Sequence, residues 1–161
     1  MKKIFFSLAA ILLVSFSSLA QKTDSVIVLP EIKVTAISKV NKQIEKAFEK
    51  AFPDAVKIRW YKTNKDYLTK FISDEMRHSA YFQRNGYLKY DISYGFKSNL
   101  PDQISQEIKT TYPDFIINRV ANVKEAQRDI WIINLESLKH YVIARSENGE
   151  VEEVERFERS E

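Results

Sequence analysis

The sequence predicts an α+β fold, a tandem repeat of two units, each one helix packed on a four-stranded antiparallel sheet. Three observations predict it. An amphipathic helical stretch broken by Pro-Asp and followed by alternating strands occurs twice, at AFPDAVKIRWY and at TYPDFIINRV. Each meander closes on an Asn-Gly turn, Asn85-Gly86 in the first copy and Asn148-Gly149 in the second. The order, a helix and then a run of strands, excludes an alternating parallel sheet.

The N-terminus is set aside first. Lys2 and Lys3 form a basic start, Ile4 to Phe16 is almost wholly apolar, and Ser18-Leu19-Ala20 offers small residues at a cleavage site. Residues 1–20 read as a secretory signal peptide cut after Ala20, the apolar run being short of the ~20 residues of a spanning helix. A periplasmic or secreted chain with no stable membrane insertion after cleavage is expected. Cleavage removes two lysines and no acid, so 25 basic residues become 23 against 22 acidic ones, a formal charge of +1. Such a balanced surface supplies no field for nucleic acid, and none is expected as a partner. With no cysteine, disulfides are excluded and stability must come from burial.

Residues 21–37 form an extended leader. Val, Ile and Thr in DSVIVLPEIKVTAIS favour a strand, while Pro30 denies it a central place in a sheet. The first helix starts near Ser38 or Asn41, each able to cap it, and carries Val40, Ile44, Ala47, Phe48 and Ala51 on one side. Pro53 stops it. Strands follow with Val56, Ile58 and Trp60 inward, then Tyr67, Thr69 and Phe71, then Met76, His78, Ala80 and Phe82. Asn64-Lys65 and Asp74-Glu75 make the turns between them. Asn85-Gly86 predicts a two-residue type I′ hairpin into a strand over Tyr87–Tyr94. The first unit thus runs over 38–96.

The second unit, 97–161, opens with Pro101 in the first turn of a helix whose apolar side is Ile104, Ile108 and Tyr112. Strands are predicted at Phe115–Val123, Ile130–Glu136, His140–Arg145 and Val151–Phe157. The two Pro-Asp breaks are 60 residues apart and the two Asn-Gly turns 63, so about three residues are inserted, placed in the turn Lys124–Arg128.

The doubled pattern, AFPDAVKIRWY with YLTKF and AYFQRNGYL, then LPDQISQEIKTTYPD with NGEV, resembles the β-lactamase-inhibitor-like, PepSY-like family of exported Bacteroidetes proteins. The resemblance covers about Val40 to Phe157. It implies helix-on-sheet units similar to β-lactamase inhibitor protein, and it implies no catalytic residues. Asp74-Glu75 departs from it, standing where a glycine is common.

Enzyme chemistry is not expected. There is no Gly-x-Ser-x-Gly elbow, no His-Glu-x-x-His helix and no phosphate-binding glycine loop, and the chain has only three glycines. The paired carboxylates Asp74-Glu75 and Glu152-Glu153 read as solvated charge. His78 and His140 stand a repeat apart, too few to converge on a metal, so neither metal nor cofactor is expected.

The aromatics carry more. Phe48 to Phe96 holds twelve of the seventeen Phe, Tyr and Trp residues left after cleavage. Phe48, Phe52, Trp60, Phe71 and Phe82 belong to the core. Tyr61, Tyr81 and Tyr87 are placed on the outer face of the sheet beside Arg59, Lys70 and Arg77, the residue types that protein interfaces favour. The expected function is a non-catalytic exported module that binds, and in one form inhibits, another envelope or secreted protein through this face. The alternative is a small-ligand or envelope-stress sensor, with a pocket between helix and sheet or between the units.

Overall fold

The computed structural model describes residues 33–160; the signal peptide, its cleavage site and leader residues 21–32 lie outside the described residues. A short edge strand β1 (Val34–Ile37) leads into helix α1 (Lys42–Ala51), then β2 (Val56–Thr63), β3 (Asp66–Ser73), β4 (Met76–Phe82) and β5 (Leu88–Gly95). A single 3-10 turn, Lys97–Asn99, connects to helix α2 (Asp102–Thr111). Strands β6 (Ile116–Glu125), β7 (Arg128–Glu136), β8 (His140–Glu147) and β9 (Glu150–Glu158) complete the chain.

The α+β class holds, and one part of the expectation is corrected. The strands do not form two separate four-stranded sheets. They form one nine-stranded antiparallel sheet in sequence order, because β5 pairs with β6 over Tyr90↔Glu125 to Gly95↔Val120. The physical reason is that an open four-stranded sheet leaves an edge of unpaired N–H and C=O groups, and joining the two edges satisfies both.

Each helix forms for local reasons. The Asn41 side chain accepts from the Ile44 N–H at 2.9 Å, capping α1, and Ile44 and Phe48 fall one turn apart on its buried side. At the far end the Phe52 N–H bonds the Phe48 carbonyl before Pro53 intervenes. Helix α2 begins after Pro101 and buries Ile104 and Ile108.

Both helices lie on the same sheet face. Phe48 packs edge-on against Phe71 (5.0 Å between centroids) and Trp60 (5.2 Å), over Ala80 and Phe82. Leu100, Ile104, Ile108 and Tyr112 cover Val120, Ile133, Leu135, Val142 and Ala144. Between these two apolar clusters, on the same face, runs a buried polar seam of His78, Asp91, Ser93 and Asn122, none more than 9 % exposed.

Two further expectations are corrected. Asn85-Gly86 is not a two-residue turn: the Gly86 N–H bonds the Gln83 carbonyl and the Gln83 N–H bonds the Tyr87 carbonyl, with positive φ at Gly86 (82°) and not at Asn85. This is a three-residue loop ending in a left-handed glycine. Lys124–Arg128 is not a lengthened turn: Glu125 pairs directly with Arg128, and the extra residues extend β6 and β7 to ten and nine residues.

Candidate protein-binding face

The face opposite the helices is read from the ladder register. One row crosses the sheet as Arg59, Lys70, Ser79, Ile92, Val123, Ile130, Glu147 and Glu150. A second runs Val56, Ile72, Arg77, Tyr94, Ala121, Ile132, Arg145 and Glu152, Val56 being turned outward, against expectation, by the irregularity at Lys57. A third runs Tyr61, Leu68, Tyr81, Tyr90, Glu125 and Arg128. Directly opposed residues in an antiparallel pair share a face, so these rows are one continuous surface.

Five of the six residues singled out from the sequence stand on it. Arg59 pairs with Lys70, and Arg77 lies one row away; these three and Lys57 ring a shallow hollow of about 510 Å³ that also takes in Ser79 and Tyr94. Among the described residues, no carboxylate forms an ion pair with any of the four. The Lys70 ammonium sits 5.9 Å from the Tyr61 ring centroid. Tyr81 stacks on Tyr90 at 5.3 Å and 12°, and its hydroxyl donates to Asp66 at 3.2 Å. Desolvation, with Tyr81 and Glu125 nearby, raises the Tyr90 phenol above its ordinary range. Tyr87 is placed elsewhere: it stands in the hairpin before β5 begins, 52 % exposed, outside the three rows.

Sequence reasoning missed the middle of the face. Ile92, Tyr94, Ala121, Val123 and Ile132, with Phe96, Arg119 and Asn134, line a groove of about 610 Å³. Tyr94 and Phe96 are each 53 % exposed, and the Arg119 guanidinium lies 4.3 Å from the Phe96 centroid. A signal was present in Tyr90-Asp91-Ile92-Ser93-Tyr94. There the alternation is inverted, with Asp91 and Ser93 buried under the helices and the apolar residues turned outward. Asp91 is held inside by His78, whose Nδ1 lies 2.8 Å from Asp91 Oδ2 while Nε2 lies 3.2 Å from the Ser73 carbonyl.

The two imidazoles are therefore not on this face. His78 is stacked on Phe71 at 4.8 Å within the helix side, and His140 lies on the same side as Val142. Among the described residues no three His, Asp or Glu side chains converge as metal ligands. The surface offers cations, aromatic faces and an apolar groove.

Across the sheet the charge changes sign. The β2–β4 end carries Arg59, Lys70 and Arg77. The β8–β9 end carries Glu147, Glu150, Glu152 and Glu155, with Arg145 paired to Glu147 and, at 2.8 Å, to Glu152. Arg128 grips Glu147 at 2.7 and 3.0 Å, and this hydrogen bonding holds the Glu147 carboxyl at about 2.

No family model and no curated protein matches the sequence. Solved structures do match. A BLIP-like protein from Bacteroides fragilis superposes with a TM-score of 0.57 at 17 % identity, over 73 % of this chain and 89 % of that one. A DUF2874 family protein from Bacteroides ovatus gives 0.55 at 12 % identity, over 76 % and 89 %. A candidate periplasmic protein from Bacteroides eggerthii gives 0.54 at 14 %, over 75 % and 90 %. The chain has a BLIP-like fold. The expected likeness to β-lactamase-inhibitor-like proteins is thus borne out at the level of the fold, while none of these neighbours is described as PepSY-like. A BLIP-like sheet with both helices on one side leaves the other side uncovered, and here that side is apolar at its centre.

Proposed function

We propose that this chain is a non-catalytic exported module that binds another envelope or secreted protein through the uncovered face of its BLIP-like sheet. One observation carries the reading: the apolar-out inversion at Tyr90, Ile92 and Tyr94, continued by Ala121, Val123 and Ile132. A sheet face without a partner is stabilised by polar residues facing water, whereas here burial of Asp91 and Ser93 accompanies exposure of apolar surface. Aromatic and arginine side chains around that groove are the types that dominate binding energy at protein interfaces. The neighbour from Bacteroides eggerthii, described as a candidate periplasmic protein, and the signal-like start of the sequence support export. Among the described residues no helix is long and apolar enough to cross a membrane. The division into units 38–96 and 97–161 is kept as part of this proposal; register shifts fall in β2–β3 and β6–β7, and again in β4–β5 and β8–β9.

The test is affinity capture from the native envelope with two baits, the natural protein and the variant Arg59→Glu, Tyr61→Ala, Arg77→Glu, Tyr81→Ala. A specific partner lost by the folded variant supports the reading. Partners retained equally by both contradict it.

A second reading, a small-ligand or envelope-stress sensor, is favoured by the groove volume of about 610 Å³, within the size range of ligand pockets. A ligand-dependent rise in melting temperature, abolished by Ile132→Arg in the groove, would select it.

A further inference from the structure

The open face is complementary in charge to itself. We infer that a second copy of this chain docks on it, face to face, about a two-fold axis running along the β5–β6 seam. The inference rests on the open face being a protein-binding surface and names one occupant for it.

Such an axis lays β2 of one copy over β9 of the other, β3 over β8, β4 over β7 and β5 over β6. In the row Arg59, Lys70, Ser79, Ile92, Val123, Ile130, Glu147, Glu150 every position then meets its mirror position in the list. Arg59 faces Glu150, Lys70 faces Glu147, and Ile92 faces Val123. In the next row Tyr94 faces Ala121, Arg77 faces Ile132 and Ile72 faces Arg145. Tyr90 faces Glu125 and Tyr81 faces Arg128 in the third. No like-charged pair is opposed in any of the three rows. An isologous contact requires this self-complementarity.

Two further points favour a second copy. Among the described residues Arg59, Lys70 and Glu150 have no oppositely charged partner, so the Arg59–Glu150 contacts form without breaking an ion pair, while Lys70 joins Glu147 beside Arg128 and Arg145. The eight paired strands, spaced ~4.8 Å apart and about eight residues tall, present on the order of 900 Å², close to the ~800 Å² per partner of a stable interface. An axis along the β5–β6 strands keeps them parallel in the two copies, so the rows stay in register across the contact. The central apolar rows make the close contact, and the outer positions reach across with long Arg, Lys and Glu side chains.

The experiment is sedimentation equilibrium of the exported protein, natural and with Arg59→Glu or Glu150→Lys. Both residues are exposed, so thermal melts at concentrations where all three proteins are monomeric should match. The inference predicts a dimer whose dissociation constant rises at least about tenfold in each variant and rises with salt. It also predicts that mixing the two variants restores a mixed dimer, because reversed charges again oppose. A monomer at all concentrations, or a dimer insensitive to both substitutions, overturns the second-copy assignment. Neither result touches the capture of a different protein, which the Arg59, Tyr61, Arg77 and Tyr81 variant decides separately.

Discussion

Asp74 and Glu75 connect β3 and β4 with φ of 49° and 60°, both in the left-handed region. A two-residue hairpin turn demands that geometry, and Asn-Gly is its favoured solution; Asn148-Gly149, at 56° and 85°, is built that way. Glu75 has no such freedom, and a Cβ in the left-handed region costs ~1–2 kcal/mol. Glu75→Gly is therefore expected to stabilise the fold by about 1 kcal/mol, read as a raised urea midpoint; a lowered midpoint would show that the Glu75 side chain makes a compensating contact. The buried His78–Asp91 pair behaves oppositely. Both groups are buried, so Asp91→Ala leaves the His78 Nδ1 without its hydrogen-bond partner and is expected to cost about 1–3 kcal/mol in chemical denaturation. Glu147 sets a pH dependence. Its folded carboxyl, held at about 2 by Arg128, lies below the ordinary 4.5, so its contribution is full above about pH 4.5 and is lost as pH falls towards 2. The gap in melting temperature between the natural protein and Glu147→Gln should close over that range; a gap constant down to pH 2 would contradict the assignment.

The elements were legible where one period governs a long stretch. Asn41, Ile44 and Phe48 mark α1 as cap and stripe, and Asn41→Ala is expected to lower stability by ~1 kcal/mol through the orphaned N–H groups. Phe48 contacts Phe52, Trp60, Phe71 and Phe82, so Phe48→Ala should cost ~3–5 kcal/mol, measured by the same denaturation. Turn chemistry was legible only in part. Asn-Gly has the same local preference at residues 85 and 148, yet the first forms a three-residue loop whose Gly86 lies against Gln43 and Ala47 of α1. That contact between distant residues has no signature in the dipeptide. Gly95 is similar. A Cβ there would come within 2.5 Å of the Asn99 side chain, which accepts from the Phe96 N–H and donates to the Asp74 carbonyl. The linker before α2 and the turn before β4 are thereby tied together, a link that no local pattern in the sequence expresses.

At the scale of the molecule, the strand pattern revealed two meanders but not their fusion. Alternation says which way a side chain points and is silent about which edge a strand meets, so the β5–β6 pairing and the face it completes had to be seen. For the same reason the open face was singled out from the sequence at its basic end, Arg59 to Tyr81, and not at its centre. Which side of Tyr87–Tyr94 faces the helices is decided by the side-chain contact of His78 with Asp91, which the strand pattern does not express. The polar seam beneath and the apolar groove above are two sides of the same strands, and together they suit a sheet that is covered on both faces when it functions. The most direct measurement is site-specific photo-cross-linking in the native envelope, with the probe at Tyr94 in the groove or at Lys109 on the exposed side of α2. A discrete protein adduct, a different protein or a second copy, is expected from Tyr94 and none from Lys109. Adducts from Lys109 alone, or from neither position, would contradict it.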